Sequence, residues 1–237
     1  MNTHQKLTRR PADARGKADF GWLKSAHSFS FGQYHDPEHM SFGVLRVMND
    51  DEVAGGGGFP SHPHQDAEIF SYVLEGGLAH KDSMGNGSTV QAGGVQYMSA
   101  GSGVTHSEFN PSQTTRMRFL QVWLIPDEQG AQPCYDTLDI NPEDKRGKLK
   151  LFLSPDGRNG SMQTRANASV FAANIDGDER IEHDLGTTQR AWVQVAEGRV
   201  KLNDELLYAG DGVAIEGGGH ITLHQGEQAE VLLFELP

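Results

Sequence analysis

Residues 58–76 of this chain read GFPSHPHQDAEIFSYVLEG, and residues 99–110 read SAGSGVTHSEFN. Alternate side chains of a β-strand point to the same face. His62 and His64 therefore share a face if the first stretch is extended, and so do His106 and Glu108 in the second. Two such strands side by side would bring three imidazoles and one carboxylate into a single pocket.

Three nitrogens and one oxygen are a ligand set that suits a divalent transition metal. We therefore predict one metal ion bound by His62, His64, His106 and a carboxylate. The alternative is that these are ordinary surface histidines, because a chain with 11 histidines can contain a His-x-His pair by chance. Two such pairs, each preceded by glycines, favour the metal site.

Both stretches resemble the sequence motifs of the cupin superfamily in the version found in pirins. The N-terminal region carries further pirin-like runs: Gly21-Trp22-Leu23, Ser28-Phe29-Ser30-Phe31-Gly32 and Tyr34-His35-Asp36-Pro37. The resemblance extends to the end of the chain and is weaker after about residue 147. It implies an all-β bicupin fold, with two antiparallel β-barrel (jelly-roll) domains.

The resemblance also bears on which carboxylate binds the metal. Many cupins use the glutamate of the first motif, here Glu68, whereas pirins use that of the second, here Glu108. Strand parity leaves both open, because Glu68 has the same parity as His62 and His64. We expect Glu108 to be the ligand and Glu68 to orient a ligating imidazole. Either carboxylate is a candidate general base.

Length and composition allow one large or two modest domains without a stabilising disulfide. The 237 residues are 36% hydrophobic and contain no long apolar run, so we expect neither a transmembrane helix nor a secretory signal. Cys134 is the only cysteine, which fits a reducing cytoplasm, and we expect it to be a packing or loop residue.

The formal net charge of −12 argues against nucleic-acid binding unless a local basic patch exists. The N-terminal arm is the best candidate for such a patch, and its basic residues are Lys6, Arg9, Arg10, Arg15, Lys17 and Lys24. Because chain termini are often poorly ordered, we expect a solvated, partly disordered arm and no nucleic-acid or membrane partner.

Frequent glycines, 29 in all, and short β-branched runs between turn signals predict an all-β chain. Prolines and charges at residues 126–149 are typical of a connection between domains. We place an N-terminal cupin domain with the metal site at residues 1–135, a linker at 136–147 and a C-terminal cupin-like domain at 148–237. The second domain lacks both histidine motifs, so we expect it to hold no metal.

The pirin resemblance implies a metal-dependent dioxygenase that cleaves quercetin or a related flavonol with dioxygen. We expect iron as the metal, with nickel, copper, zinc, cobalt or manganese as alternatives, and a monomeric protein. A second hypothesis is a metal-bearing regulatory protein that acts through a protein partner. A cupin isomerase or small-molecule binder is a third.

Overall fold

The computed structural model describes residues 5–186 and 190–237, which are nearly all β. The first twelve strands are β1 Lys6–Arg10, β2 Gly16–Asp19, β3 Leu23–His27, β4 Leu45–Val53, β5 Gly58–His64, β6 Glu68–Glu75, β7 Gly77–Asp82, β8 Gly87–Gln91, β9 Gly94–Ser99, β10 Val104–Phe109, β11 Met117–Leu124 and β12 Cys134–Asp139. The remaining strands are β13 Lys150–Ser154, β14 Met162–Gln163, β15 Ser169–Ile175, β16 Arg180–Asp184, β17 Arg190–Leu202, β18 Glu205–Tyr208, β19 Gly212–Glu216 and β20 His220–Leu236. Short 3-10 helices span Ala12–Ala14, Pro142–Asp144 and Arg158–Gly160.

Backbone contacts divide the chain into two compact units. The first, here the N-terminal unit, comprises Gly16–Ile140 and Thr164–Ala166. The second, here the C-terminal unit, comprises the segment that ends at Arg15 together with Asn141–Gln163 and Asn167–Pro237. The domain boundaries expected from the sequence stay a prediction. None of the helices in the described part of the chain is long and apolar enough to cross a membrane.

The N-terminal unit consists of two antiparallel sheets. A seven-stranded sheet has the order β12-β9-β6-β11-β4-β3-β2, and a four-stranded sheet has the order β5-β10-β7-β8. Apolar side chains from both sheets form a buried core: Leu23, Val53, Val73, Leu78, Val90, Met117 and Phe119. Burying such side chains contributes about 1.5–3 kcal/mol each, so this core fixes the two sheets face to face.

One row of the seven-stranded sheet is polar although it is buried. Consecutive cross-strand partners are His27, Asn49, Gln121, Ser71 and Gln96, which come from five adjacent strands. Each is less than 9% exposed. Burying polar groups is costly unless they find hydrogen-bond partners, so a row of this length is unusual in the interior of a domain. We call it the polar row.

The C-terminal unit is built on one sheet with the order β1-β19-β17-β20-β15-β13-β14, to which β16 adds at β20 and β18 at β17. Its longest strands, β17 and β20, pair with register shifts that bend them. The core contains aliphatic residues of these strands, including Val193, Val195, Val231 and Leu233. Only the two-residue pair β13–β14 is parallel among the described strands.

The expectation of a disordered N-terminal arm is wrong for residues 6–10. These residues form β1, which pairs antiparallel with β19. Arg9 donates a hydrogen bond of 2.6 Å to Asp211, and Leu7 packs against the core of the C-terminal unit. The arm is ordered because its apolar side chain and its cations both find partners, which the local sequence could not reveal.

The expected all-β fold of two jelly-roll-like domains is confirmed, with two corrections. The sheets are open rather than closed into barrels, since the pairing orders end at edge strands such as β2, β12 and β14. The predicted connection at residues 126–149 contains a strand, β12, which pairs antiparallel with β9. Cys134 begins this strand and is half-buried.

Candidate metal centre

Three of the four expected ligands converge where β5 pairs with β10. His106 lies directly opposite His62, and Val104 lies opposite His64. The ring centroids of the three histidines are 4.5–4.9 Å apart, and one nitrogen of each ring lies within 4.8 Å of the others. His62 and His64 share a face, as their two-residue spacing predicted, because β5 is extended from Gly58 to His64.

The environment keeps the imidazoles of His64 and His106 neutral. Burial, followed by the neighbouring histidines, lowers the pKa of His106 to about 3. Burial, together with His62, lowers the pKa of His64 to about 4. Neutral imidazoles keep the lone pair that a metal ligand needs, so the cluster is ready to bind a cation at neutral pH.

The hydrogen bonds of His62 and His106 also leave nitrogens available for a cation. The Nδ1 of His62 lies 2.7 Å from the carbonyl oxygen of Pro60. A carbonyl only accepts, so Nδ1 carries the proton and Nε2 keeps its lone pair. The Nε2 of His106 is buried without a hydrogen-bond partner among the described residues. An unpartnered buried nitrogen beside two other imidazoles fits a metal ligand.

Glu108 follows two residues after His106 in β10. The pairing of β10 with β5 shifts register between His106 and Glu108, so Glu108 faces Phe59. Ligand atoms of Glu108, His106 and His80 lie within 4.8 Å of one another, which makes His106 common to this cluster and to the first. The structure thus brings Glu108 to His106, which it also groups with His62 and His64.

The carboxylate of Glu108 is held by the polar row. Gln96 donates to Oε1 at 2.5 Å, Ser71 donates to the same oxygen at 3.4 Å, and Gln121 donates to Oε2 at 3.3 Å. Burial raises the pKa of Glu108 to about 7, and the hydrogen bonds from Gln96 and Ser71 oppose that increase. Near neutral pH this group is therefore poised between proton donor and proton acceptor.

Glu68 lies elsewhere and makes different bonds. Its carboxylate accepts hydrogen bonds from four donors: the hydroxyls of Tyr97, Ser99 and Thr164 and the backbone N–H of Arg165. None of these donors among the described residues is an imidazole, so the hydrogen bonds do not support a role of Glu68 in orienting a ligating imidazole, and that role stays a prediction. Strand parity does not carry over from His64 to Glu68, because Asp66, with φ of 48°, interrupts the extended backbone between β5 and β6.

Sequence reasoning missed His80 and Asp82. His80 Nδ1 lies 3.4 Å from His106 Nδ1, and His80 Nε2 lies 3.1 Å from Asp82 Oδ2. Both side chains are fully buried, and burial lowers the pKa of His80 despite the bond to Asp82. The ring of Tyr135 stacks on His80 at a centroid distance of 4.3 Å. The His-x-Asp spacing in β7 was the available signal.

A cavity of about 950 Å³ opens beside the histidines, and His62 and His64 form part of its wall. Its apolar lining includes Trp22, Phe59 and Trp123. The polar lining is the start of the polar row together with its neighbours: Ser25, His27, Asn49, Asp51 and Gln121. The volume and the mixed lining suit an organic ligand that carries several oxygens.

Asp51 is a buried carboxyl on the wall of this cavity that the sequence did not reveal. It accepts a hydrogen bond from the Ser25 hydroxyl and is 2% exposed. Burial raises the pKa of Asp51 to about 7. Beside it, His27 Nδ1 lies 2.8 Å from Asn49 Oδ1, and Asn49 Nδ2 is buried without a partner among the described residues.

The C-terminal unit contains isolated histidines. His183 Nε2 lies 2.7 Å from Glu235 Oε1, and His224 Nε2 lies 2.8 Å from the carbonyl oxygen of Asn203. His220 is largely exposed, 3.8 Å from Asp184. Both candidate metal clusters of the described residues lie in the N-terminal unit. The absence of metal from the C-terminal domain stays a prediction.

Comparison with known proteins places this geometry in a family. Residues 8–124 match the Pirin family model, and residues 151–236 match the model of the quercetinase C-terminal cupin domain. The chain is 44% identical over 228 residues to the quercetin 2,3-dioxygenase of Escherichia coli strain K12, which covers 96% of this chain and 97% of that protein. It is 39% identical over 230 residues to a pirin-like protein of Caulobacter vibrioides, with coverage of 97% and 99%.

Solved structures agree with the sequence relatives. The crystal structure of YhhW from Escherichia coli matches with a TM-score of 0.94 and 43% identity, covering 98% of each chain. A nickel(II) complex of the same bacterial pirin matches with a TM-score of 0.93 and 43% identity, covering 98% of this chain and 99% of that one. The paired histidine strands and the two jelly-roll units thus occur in a chain that belongs to the pirin family of cupins.

Proposed function

We propose that this protein is a metal-dependent dioxygenase that oxidatively cleaves quercetin or a related flavonol. The observation that carries the proposal is the cluster of His62, His64 and His106 at the wall of the 950 Å³ cavity. Relatives that span almost the whole chain are named quercetin 2,3-dioxygenase, which supports the same reaction.

In this proposal His62, His64, His106 and Glu108 hold one divalent ion. The nickel(II) complex of the E. coli pirin supports a divalent metal, while iron remains our first expectation for this chain. When bound, such an ion supplies Lewis acidity that lowers the pKa of a substrate hydroxyl. Glu108 must lose any proton to act as a ligand, and its three donors from the polar row favour that ionised form.

The cavity residues bind and orient the flavonol. Trp22, Phe59 and Trp123 offer aromatic surface to fused planar rings. The side-chain amide of Asn49, which has no partner among residues 5–186 and 190–237, offers its N–H to a substrate oxygen. The same apolar wall lowers the local dielectric, which strengthens each hydrogen bond formed beside it.

A buried carboxyl group accepts the proton of the flavonol hydroxyl. Glu108, beside His106, and Asp51, on the cavity wall, both have a pKa of about 7 and so can accept a proton near neutral pH. Asp51 is the one that lines the cavity. Glu68 is less suited to this role, because four donors already surround its carboxylate.

The test loads metal-free protein in turn with iron, nickel, copper, cobalt and manganese. Oxygen uptake and loss of quercetin absorbance are then measured together, because dioxygen consumption distinguishes cleavage from simple binding. We expect at least one metal to support both. His220→Ala, at an exposed histidine of the C-terminal unit, serves as the matched control for the metal-site variant His62→Ala. If no metal supports oxygen uptake, the dioxygenase proposal fails and the protein-partner hypothesis takes its place.

A further inference from the structure

A buried chain of three side chains runs away from the cluster of His62, His64 and His106. The Nδ1 atoms of His106 and His80 face each other at 3.4 Å, and His80 Nε2 faces Asp82 Oδ2 at 3.1 Å. Two facing nitrogens form a hydrogen bond only when one of them carries a proton and the other does not. The protonation of each ring therefore depends on its neighbour.

Asp82 determines which nitrogen of His80, and in turn of His106, carries the proton. Its Oδ1 accepts hydrogen bonds from the backbone N–H groups of Met84 and Asn86, and its Oδ2 accepts one from the side-chain amide of Asn86. A carboxylate surrounded by donors is an acceptor, so the proton between Asp82 and His80 lies on His80 Nε2. A neutral His80 then has a lone pair at Nδ1 and accepts the proton of His106 Nδ1.

The last step concerns His106 Nε2. With the proton of a neutral ring at Nδ1, Nε2 keeps its lone pair, and this is the buried nitrogen that has no partner among the described residues. His62 has the same tautomer, with its proton at Nδ1, because Nδ1 donates directly to the Pro60 carbonyl. Stacking on Tyr135, with the rings 15° from parallel, holds the plane of His80.

We propose that Asp82 and His80 are positioning residues that hold His106 in the tautomer with the proton at Nδ1, which leaves Nε2 free for the metal ion. The inference rests on the proposed metal site, and it adds a role for two residues outside the ligand set. Outer partners of this kind orient the ligating ring and contribute to metal affinity.

The direct test reads the tautomers of metal-free wild-type protein from long-range ¹H–¹⁵N correlations of the imidazole rings. His80→Gln and His106→Gln assign the signals. We expect the proton of His106 at Nδ1 and that of His80 at Nε2. The opposite tautomer of His106 would overturn the inference, and this measurement requires neither metal nor activity.

The second test measures Zn²⁺ affinity by competition with a chromophoric chelator. In Asp82→Asn the amide oxygen can still accept from the turn, but its NH₂ group faces His80 Nε2 and drives the proton to Nδ1. His106 Nδ1 must then accept, which puts a proton on Nε2. We expect Zn²⁺ affinity to fall about 10- to 100-fold. Glu235→Gln changes the similar pair with His183 in the C-terminal unit and should leave the affinity unchanged.

Three outcomes separate the alternatives. An Asp82→Asn protein that binds Zn²⁺ as tightly as wild type, with an unchanged His106 tautomer, contradicts the positioning role. A metal-induced ¹⁵N shift at His80 Nδ1 in the Zn²⁺-loaded wild type would make His80 a ligand, and this also overturns the inference. If wild-type protein binds no Zn²⁺, the proposed metal site fails, and the tautomer measurement still decides the role of Asp82 and His80.

Discussion

His62 and His106 lie directly opposite each other in the antiparallel pairing of β5 with β10, with ring centroids 4.5 Å apart. Their separation is set by backbone hydrogen bonds between two strands rather than by a loop. A site held in this way is formed before the ion arrives, so little ordering of the chain opposes binding.

His62→Ala should therefore remove the metal without unfolding the protein. The imidazole is half-buried at the cavity wall and lies outside the apolar core of the N-terminal unit. We expect metal affinity to fall by at least about 100-fold, because loss of a ligand costs more than loss of an outer partner. Metal content by mass spectrometry and the circular dichroism melting curve measure the two effects. A folded variant that keeps the metal after dialysis would exclude His62 from the ligand set.

Glu108→Gln separates metal binding from proton transfer. The new amide keeps the size of the side chain but turns one NH₂ group toward Gln96 or Gln121, which are donors themselves. We expect weaker metal binding and a low rate of oxygen uptake that persists when excess metal fills the site. Full recovery of the rate with added metal would show that Glu108 only holds the ion.

Glu68→Gln should lower stability and leave the metal in place. Glutamine loses the negative charge that accepts from Tyr97, Ser99, Thr164 and Arg165. We expect the free energy of unfolding to fall by about 1–3 kcal/mol, with unchanged Zn²⁺ affinity. Urea denaturation and chelator competition measure the two quantities. A large loss of Zn²⁺ affinity in a variant that stays stable would indicate that Glu68 is a metal ligand.

Asp51→Asn should change how stability depends on pH. The folded-state pKa of Asp51, about 7, lies above the ordinary aspartate value of 3.8, because the carboxyl is buried. Wild-type protein therefore holds this proton more tightly when folded, and that stabilisation is lost as pH rises from about 4 to 7. The variant lacks the titrating group, so its stability relative to wild type should increase over this range. Urea denaturation of metal-free proteins at pH 5 and 7.5 tests this, and a constant difference contradicts it.

Asn49→Leu should weaken flavonol binding without affecting the metal. The substitution keeps the branched shape and removes the amide donor, which has no partner among the described residues, together with the oxygen that lies 2.8 Å from His27 Nδ1. We expect quercetin affinity to fall about 10-fold, as for the loss of one good hydrogen bond. Quenching of tryptophan fluorescence measures binding, since Trp22 and Trp123 line the cavity. Unchanged affinity would place the ligand elsewhere.

The sequence predicted the part of the site that depends on local geometry. His62 and His64 could be placed on one face because β5 is extended over its whole length. The same rule does not carry over to Glu68, because the left-handed backbone of Asp66 breaks the alternation of faces. His80 escaped notice because its partner His106 is 26 residues away, and only the pairing of β10 with β7 brings the two rings together.

The sequence likewise predicted where the strands lie but not which strands pair. Strand positions follow from local patterns of apolar and turn residues, so the all-β fold could be inferred. Which strand pairs with which depends on distant contacts, and the pairing of β1 with β19, about 200 residues on, has no local signature. The polar row was hidden for the same reason, because its five members become neighbours only after five strands have assembled.

The polar row has a consequence for how ligand preference can diverge among related chains. Its members contribute little to the apolar core, so exchanging Asn49 for another polar residue would change the hydrogen bonds that the cavity wall offers while the packed hydrophobic rows stay intact. An insertion of one residue in β11 acts in the opposite way, because it turns Gln121 to the other face of the sheet. Substitution along this row can therefore change the ligand that the cavity accepts, whereas a change of strand length disrupts the row itself.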